Sequence, residues 1–137
     1  MISDITESDT VLDELGKFFV VAGQFLDAGL PAPQMFSKAV DLAWHRLVED
    51  PREHDAFTAK YAGRRLLHTE SSGAGFIDWV DAYERAYGPL PDLWFTDAEG
   101  ELDVEALGRY RATGTVWAEW DCSPAPGDGD ELTPASS

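Results

Sequence analysis

Val11-Leu12-Asp13-Glu14-Leu15-Gly16-Lys17-Phe18-Phe19-Val20-Val21-Ala22-Gly23-Gln24-Phe25-Leu26 is the stretch that decides the fold class. Its residues Val11, Leu12, Leu15, Phe18, Phe19, Ala22, Phe25 and Leu26 recur at three- and four-residue steps, the period of one helix face. Over residues 10–29 this predicts an amphipathic helix. Thr10 with Asp13 three residues on reads as its capping box, and Gly29 followed by Pro31 as its stop.

The same period continues outward. Phe36, Val40, Ala43, Trp44 and Leu47 predict a second helix from near Pro33 to about Glu49. Asp50-Pro51-Arg52-Glu53 supplies an N-cap, a first-turn proline and a capping glutamate for a third, with Phe57 and Tyr61 turned inward and Gly63 as its end. Ser71-Ser72-Gly73-Ala74-Gly75 reads as a flexible connector, followed by a fourth helix carrying Phe76, Val80, Tyr83 and Tyr87 and closed by Gly88. Pro89-Leu90-Pro91 keeps the chain extended. Trp94 to Leu102 predicts a short hairpin around Asp97-Ala98-Glu99-Gly100, and Asp103 caps a last helix to Ala112. Thr115 to Trp120 is a strand or an extended arm. The expected fold is therefore mainly α: a single-domain bundle of about five helices with a short β-hairpin or an extended C-terminal arm. Residues 1–9 are expected to be a flexible N-terminus, 10–120 the helical domain, and 121–137 a disordered acidic tail, because Pro, Gly, Asp and Ser dominate from Ser123 on.

At 137 residues, with 44% hydrophobic content and five Trp, the chain can bury one continuous core. Its 26 acidic and 10 basic residues give a formal charge of −16, a field that repels phosphate backbones and anionic headgroups. Nucleic acid and membrane are accordingly not expected as partners. A protein partner is, and a basic one suits the charge. The N-terminus lacks the basic and apolar regions of a signal peptide, and the longest apolar run, Phe18 to Ala22, is far short of the roughly 20 residues that cross a bilayer. A cytoplasmic location is the expectation. The single cysteine, Cys122, rules out an internal disulfide and a thiolate-rich zinc cage within one chain.

Val40-Asp41-Leu42-Ala43-Trp44-His45, an acid at Asp50, Phe57, Gly63-Arg64, His68, Trp79, Tyr83, Tyr87-Gly88, Pro91 and Trp94 together resemble the bacterial relatives of the glycine-rich domain-containing protein-like family. That family carries a V-D-x-x-W-H core, a downstream glycine and a closing histidine. The resemblance spans about residues 36–97, with no glycine-rich region after it. Two positions depart: Leu47 stands where plant members often have a second histidine, and Leu67-His68 where many bacterial members have two. A family metal site would thus have fewer ligands here, and the resemblance implies a helical module rather than a particular reaction.

Two readings compete for the candidate residues. At i, i+4 on one helix, Asp41 and His45 share a face, and His68 returns toward them beyond Gly63-Arg64-Arg65. In the functional reading Asp41, His45 and His68 hold zinc or iron, or act as an acid/base group, with Glu49, Asp50 or Glu70 nearest in sequence to complete a ligand set. In the structural reading, which is favoured, Trp44 anchors the core and His45 caps or bridges helices, with no cofactor. Cys122, where body gives way to tail, offers a thiol or modification site, but neighbouring Asp121 argues against an activated nucleophile. Trp94, Trp117 and Trp120 read as core rather than as an aromatic surface. His54 falls on the expected solvent face. The leading expectation is a small accessory or interaction protein of this family type, with an enzyme disfavoured. A metal-binding protein or metal-dependent enzyme, and an acidic inhibitor or immunity-type protein for a basic partner, are the alternatives.

Overall fold

The structure, a computed structural model, describes residues 2–126, with side chains from Thr10 to Ala125. The element order is α1 (Ile2–Asp27), α2 (Lys38–Val48), α3 (Pro51–Ala62), β1 (Leu66–Phe76), α4 (Val80–Tyr87), a 3-10 turn (Asp92–Phe95), α5 (Val104–Thr113) and β2 (Trp117–Pro126). The expectation of a mainly α bundle is thereby corrected: five helices share the described residues with a two-stranded antiparallel sheet of β1 and β2, a mixed α/β fold.

Several helix boundaries follow from local chemistry. The Asp50 carboxylate accepts from the Glu53 N–H, Pro51 fills the first turn, and Gly63 closes α3 in a left-handed conformation at φ 79°. Asp103 caps α5 by accepting from the Ala106 N–H at 3.1 Å. α2 starts five residues later than Pro33, at Lys38, capped by Ser37 through the Val40 N–H. Met35 is drawn instead into a bridge with Cys122, and residues around it stay extended. α1 runs from Ile2, so Thr10 lies within the helix rather than at its cap. The flexible stretch expected over residues 1–9 lies outside the described side chains.

The strands are where sequence and structure part. The Ser/Gly stretch expected to be a connector is the middle of β1, and Phe76, placed at the head of the fourth helix, ends that strand. β1 has few β-branched residues, and its pairing partner lies about 50 positions on. The register runs from Leu66 opposite Pro126 to Phe76 opposite Trp117, broken by a bulge between Glu70 and Gly73. Gly73 faces Trp120, whose indole occupies the space of a side chain: a Cβ there would stand 2.4 Å from the ring. The sequence assigned residues 121–126 to the tail, but they form the second half of β2, with Cys122 2% exposed. The remainder of that tail lies outside the described residues. The hairpin expected at Trp94–Leu102 reduces to the 3-10 turn and a single bridge, Thr96 to Leu102. The Asp97 carboxylate organises that turn by accepting from the Glu99 and Glu101 N–H groups.

The core is aromatic. Phe18, Phe19, Trp44, Trp79, Tyr83 and Trp94 are buried together, with Phe18 edge-on to Trp79 and Phe19 edge-on to Trp44, both at 5.2 Å between centroids. α1 and α3 approach so closely that a Cβ at Gly23 would lie 2.4 Å from the Ala62 carbonyl oxygen, and one at Gly16 2.7 Å from the Tyr61 ring. One acid lies inside this core. Glu14, 4% exposed, accepts through Oε1 from the Tyr83 hydroxyl and from the Trp94 indole N–H at 2.8 Å, while Oε2 meets Lys17 at 3.0 Å. Burial, then the bond to Glu14, pushes the Tyr83 hydroxyl far above its ordinary pKa and keeps it a donor.

Candidate functional site

Three elements meet at one carboxylate. Asp41, in the first turn of α2, directs Oδ1 at His68 Nε2 of β1 (3.3 Å) and at Cys122 Sγ of β2 (3.1 Å), the thiol donating. Its other oxygen, Oδ2, faces His45 Nε2 one turn further along α2 at 3.4 Å. The i, i+4 spacing thus does what it predicts, and the return of the chain through β1 brings His68 over the pair, with the two imidazole rings 4.4 Å apart. The structure brings all three sequence-predicted residues together. It adds Cys122, which the sequence placed at an open body–tail junction and treated separately.

The surroundings fix these groups. Trp44 is fully buried and presents its edge to the His68 ring at 4.5 Å. Its indole N–H donates to His54 Nε2 at 2.9 Å. His54 is therefore buried and structural, which corrects its expected place on the solvent face. The signal was available, since His54 stands three residues before Phe57 and four before buried Thr58, on one stripe of α3. β1 is tied to α3 where the Leu66 N–H donates to Thr58 Oγ1, and β2 is tied to the α1–α2 connector where the Met35 N–H donates to the Cys122 carbonyl. Trp94 is core as expected, but Trp120 is only half-buried and Trp117 is exposed.

Burial alone would raise the pKa of Asp41. The bonds from His68 and Cys122, with the charges of His45 and His68, outweigh it and hold the carboxyl below its usual value. The thiol moves the other way: burial, then its bond to Asp41, then the Asp41 and Asp121 charges push Cys122 far up. That opposes thiolate formation, since activated cysteines sit beside electropositive neighbours. The order of contacts puts the carboxylate, a much weaker base than the thiolate, on the thiol proton, while the imidazole touches the carboxylate rather than the sulfur.

Three of these groups are of the kind that could hold a cation. The ligand atoms of Asp41, His68 and Cys122 all lie within 4.8 Å of one another. Around zinc, bonds of about 2.0 to 2.3 Å in a tetrahedron put donors about 3.3 to 3.8 Å apart. The N···O and S···O edges, at 3.3 and 3.1 Å, are near that spacing as hydrogen bonds, and the N···S edge is bounded only at 4.8 Å. An oxygen, nitrogen and sulfur set suits zinc or ferrous iron and not magnesium or calcium, which take oxygen ligands. Asp41 and His45 also line a cleft of about 240 Å³ that opens beside this cluster.

No protein-family model, curated protein or solved structure matches the chain. Among the described residues no helix is long and apolar enough to cross a membrane.

Proposed function

We propose that this chain is a metal-binding protein, with Asp41, His68 and Cys122 holding a zinc or ferrous ion and His45 beside them. The observation that supports this reading is the convergence of an oxygen, a nitrogen and a sulfur donor from α2, β1 and β2 at near-ligand spacing. On binding, the cation takes the place of the thiol proton, so the pKa that makes Cys122 inert without metal is overcome by the metal's charge. A cytosolic location fits a lone cysteine used as a ligand, because reducing compartments keep thiols free. The likeness of the Val40–His45 segment to the glycine-rich domain-containing protein-like family belongs to the same proposal.

Elemental analysis of protein purified without added metal tests it. Near-stoichiometric zinc or iron is expected, lost in His68→Ala and in Cys122→Ser. Metal-free wild-type protein that also takes up no added zinc or ferrous iron would overturn the proposal, and so would metal retained in both variants.

A second reading, an interaction or accessory module, is favoured by one observation. Phe76 and Trp117, directly opposite each other at the end of the ribbon, are 68% and 53% exposed. With a charge of −16, a basic partner is the expected class, including the target of an inhibitor. Capture that disappears in Phe76→Ser/Trp117→Ser, and weakens with salt, is the outcome this reading requires.

A further inference from the structure

Resting on the metal reading, we infer that the centre is a three-ligand site whose remaining coordination position faces the cleft beside Asp41 and His45, and that it takes a small neutral nitrogen donor such as an imidazole or amine in preference to an anion.

The division of the Asp41 carboxylate carries the first half. Oδ1 is turned to His68 and Cys122, whereas Oδ2 is turned to His45. His45 is thus bound to the outer oxygen, its side chain 57% exposed, and it stands outside the group whose ligand atoms converge. The other two donors are covered. Cys122 is buried in β2 behind the Met35 bridge, and the His68 side chain, 15% exposed, is flanked by the Trp44 and His45 rings. Of the cluster, the cleft is lined by Asp41 and His45 but not by His68 or Cys122. Access to a bound cation is past the first pair. Zinc sites closed by four protein ligands are structural, and sites with three keep a position for water or an exogenous ligand.

Charge carries the second half. A dication with one carboxylate and one thiolate is electrically neutral, so it offers no net attraction to an anion. The cleft's other charged residues are Glu119 and Asp121 against Lys38, and the whole chain is at −16. An incoming anion meets repulsion at the rim and no compensation at the centre. A neutral donor meets neither, and Phe36, Leu42 and Trp120 give it apolar walls. At roughly 30 Å³ per water, a cleft of about 240 Å³ holds about eight waters, room for one five-membered ring and its substituents.

The test uses the full chain loaded with cobalt(II), whose visible ligand-field bands report its ligands. Titration with imidazole is expected to shift the bands saturably with the metal still bound, and azide to act several-fold more weakly at low salt. His45→Ala, its fold checked by circular dichroism, is expected to bind cobalt with the bands before titration at their wild-type positions, because His45 is not among the ligands. If neither probe moves the bands, or azide binds more tightly than imidazole, the inference is overturned. Bands that respond only in His45→Ala would overturn it too, by showing that His45 fills the position. Failure to bind cobalt at all would instead count against the metal reading beneath it.

Discussion

Replacing Glu14 is expected to be among the most damaging single changes outside the candidate site. Its Oε1 accepts from two buried donors, the Tyr83 hydroxyl and the Trp94 indole N–H, and its Oε2 meets Lys17. Hydrogen bonds to a charged group contribute about 1.5 to 3 kcal/mol each. Glu14→Ala strands both donors among buried aromatics, so about 3 to 6 kcal/mol is expected, a large part of the roughly 5 to 15 kcal/mol that holds a domain folded. Glu14→Gln keeps an acceptor of the same shape but loses charge assistance, which is about half of each bond's strength, leaving a cost of about 1.5 to 3 kcal/mol. Lys17 is partly exposed, and Lys17→Ala is expected to cost under about 1 kcal/mol. Urea unfolding followed by far-ultraviolet circular dichroism gives the values. In a cycle of Glu14→Gln with Tyr83→Phe the coupling is expected to be about 0.5 to 3 kcal/mol. A loss below about 1 kcal/mol for Glu14→Ala, with no coupling to Tyr83, would refute the reasoning.

Three further outcomes are expected. Trp44→Ala removes a fully buried indole that packs on Phe19 and His68 and donates to His54, and is expected to cost about 3 to 5 kcal/mol by thermal or urea unfolding. Gly23→Ala is expected to destabilise by about 1 to 3 kcal/mol and more than Gly16→Ala, because its Cβ meets the Ala62 backbone whereas that of Gly16 meets the Tyr61 ring, which can turn aside; equal losses would contradict this. Burial holds His54 below the ordinary imidazole pKa, with Asp55 opposing and His68 adding to the lowering, so the folded state takes up its proton less readily than the unfolded chain. Stability is then full above about pH 6.5 and falls as the pH drops through the lowered value, with loss of the bond from Trp44; thermal midpoints across that range should fall less steeply in His54→Gln.

The bounds of α3 and α5 were legible because each carries its own instructions, whereas the starts of α1, α2 and α4 were displaced. Asp50-Pro51 with Gly63, and Asp103 at the head of α5, are local signals that the backbone obeys within a residue or two. Asp41 and His45 were legible for the same reason, since a helical step of four needs no long-range information. The ribbon was not, because Ser71 to Gly75 has turn composition and becomes a strand only when Trp117 to Pro126 arrives to pair with it. With the ribbon unread, Cys122 was assigned to the tail, and the sulfur donor of the candidate site was missed. Glu14 escaped for a different reason: on an amphipathic pattern an acid reads as solvent-facing, and nothing local shows that Tyr83 and Trp94 will close over it.

The thiol and the carboxylate it meets are 81 residues apart in the chain. A ribosome adding about 5 to 20 residues per second needs about 4 to 16 s to cover that interval. Throughout it, Asp41 and His45, and soon His68, have been synthesised as an oxygen–nitrogen set with no sulfur. Such a set holds any divalent ion weakly and discriminates little among them. The sulfur arrives with the last paired strand, when the rest of the described chain has already left the ribosome. If the chain holds a metal as proposed, preference for a thiophilic ion would be deferred to the end of synthesis, and an ion captured earlier could still exchange before the sulfur arrives.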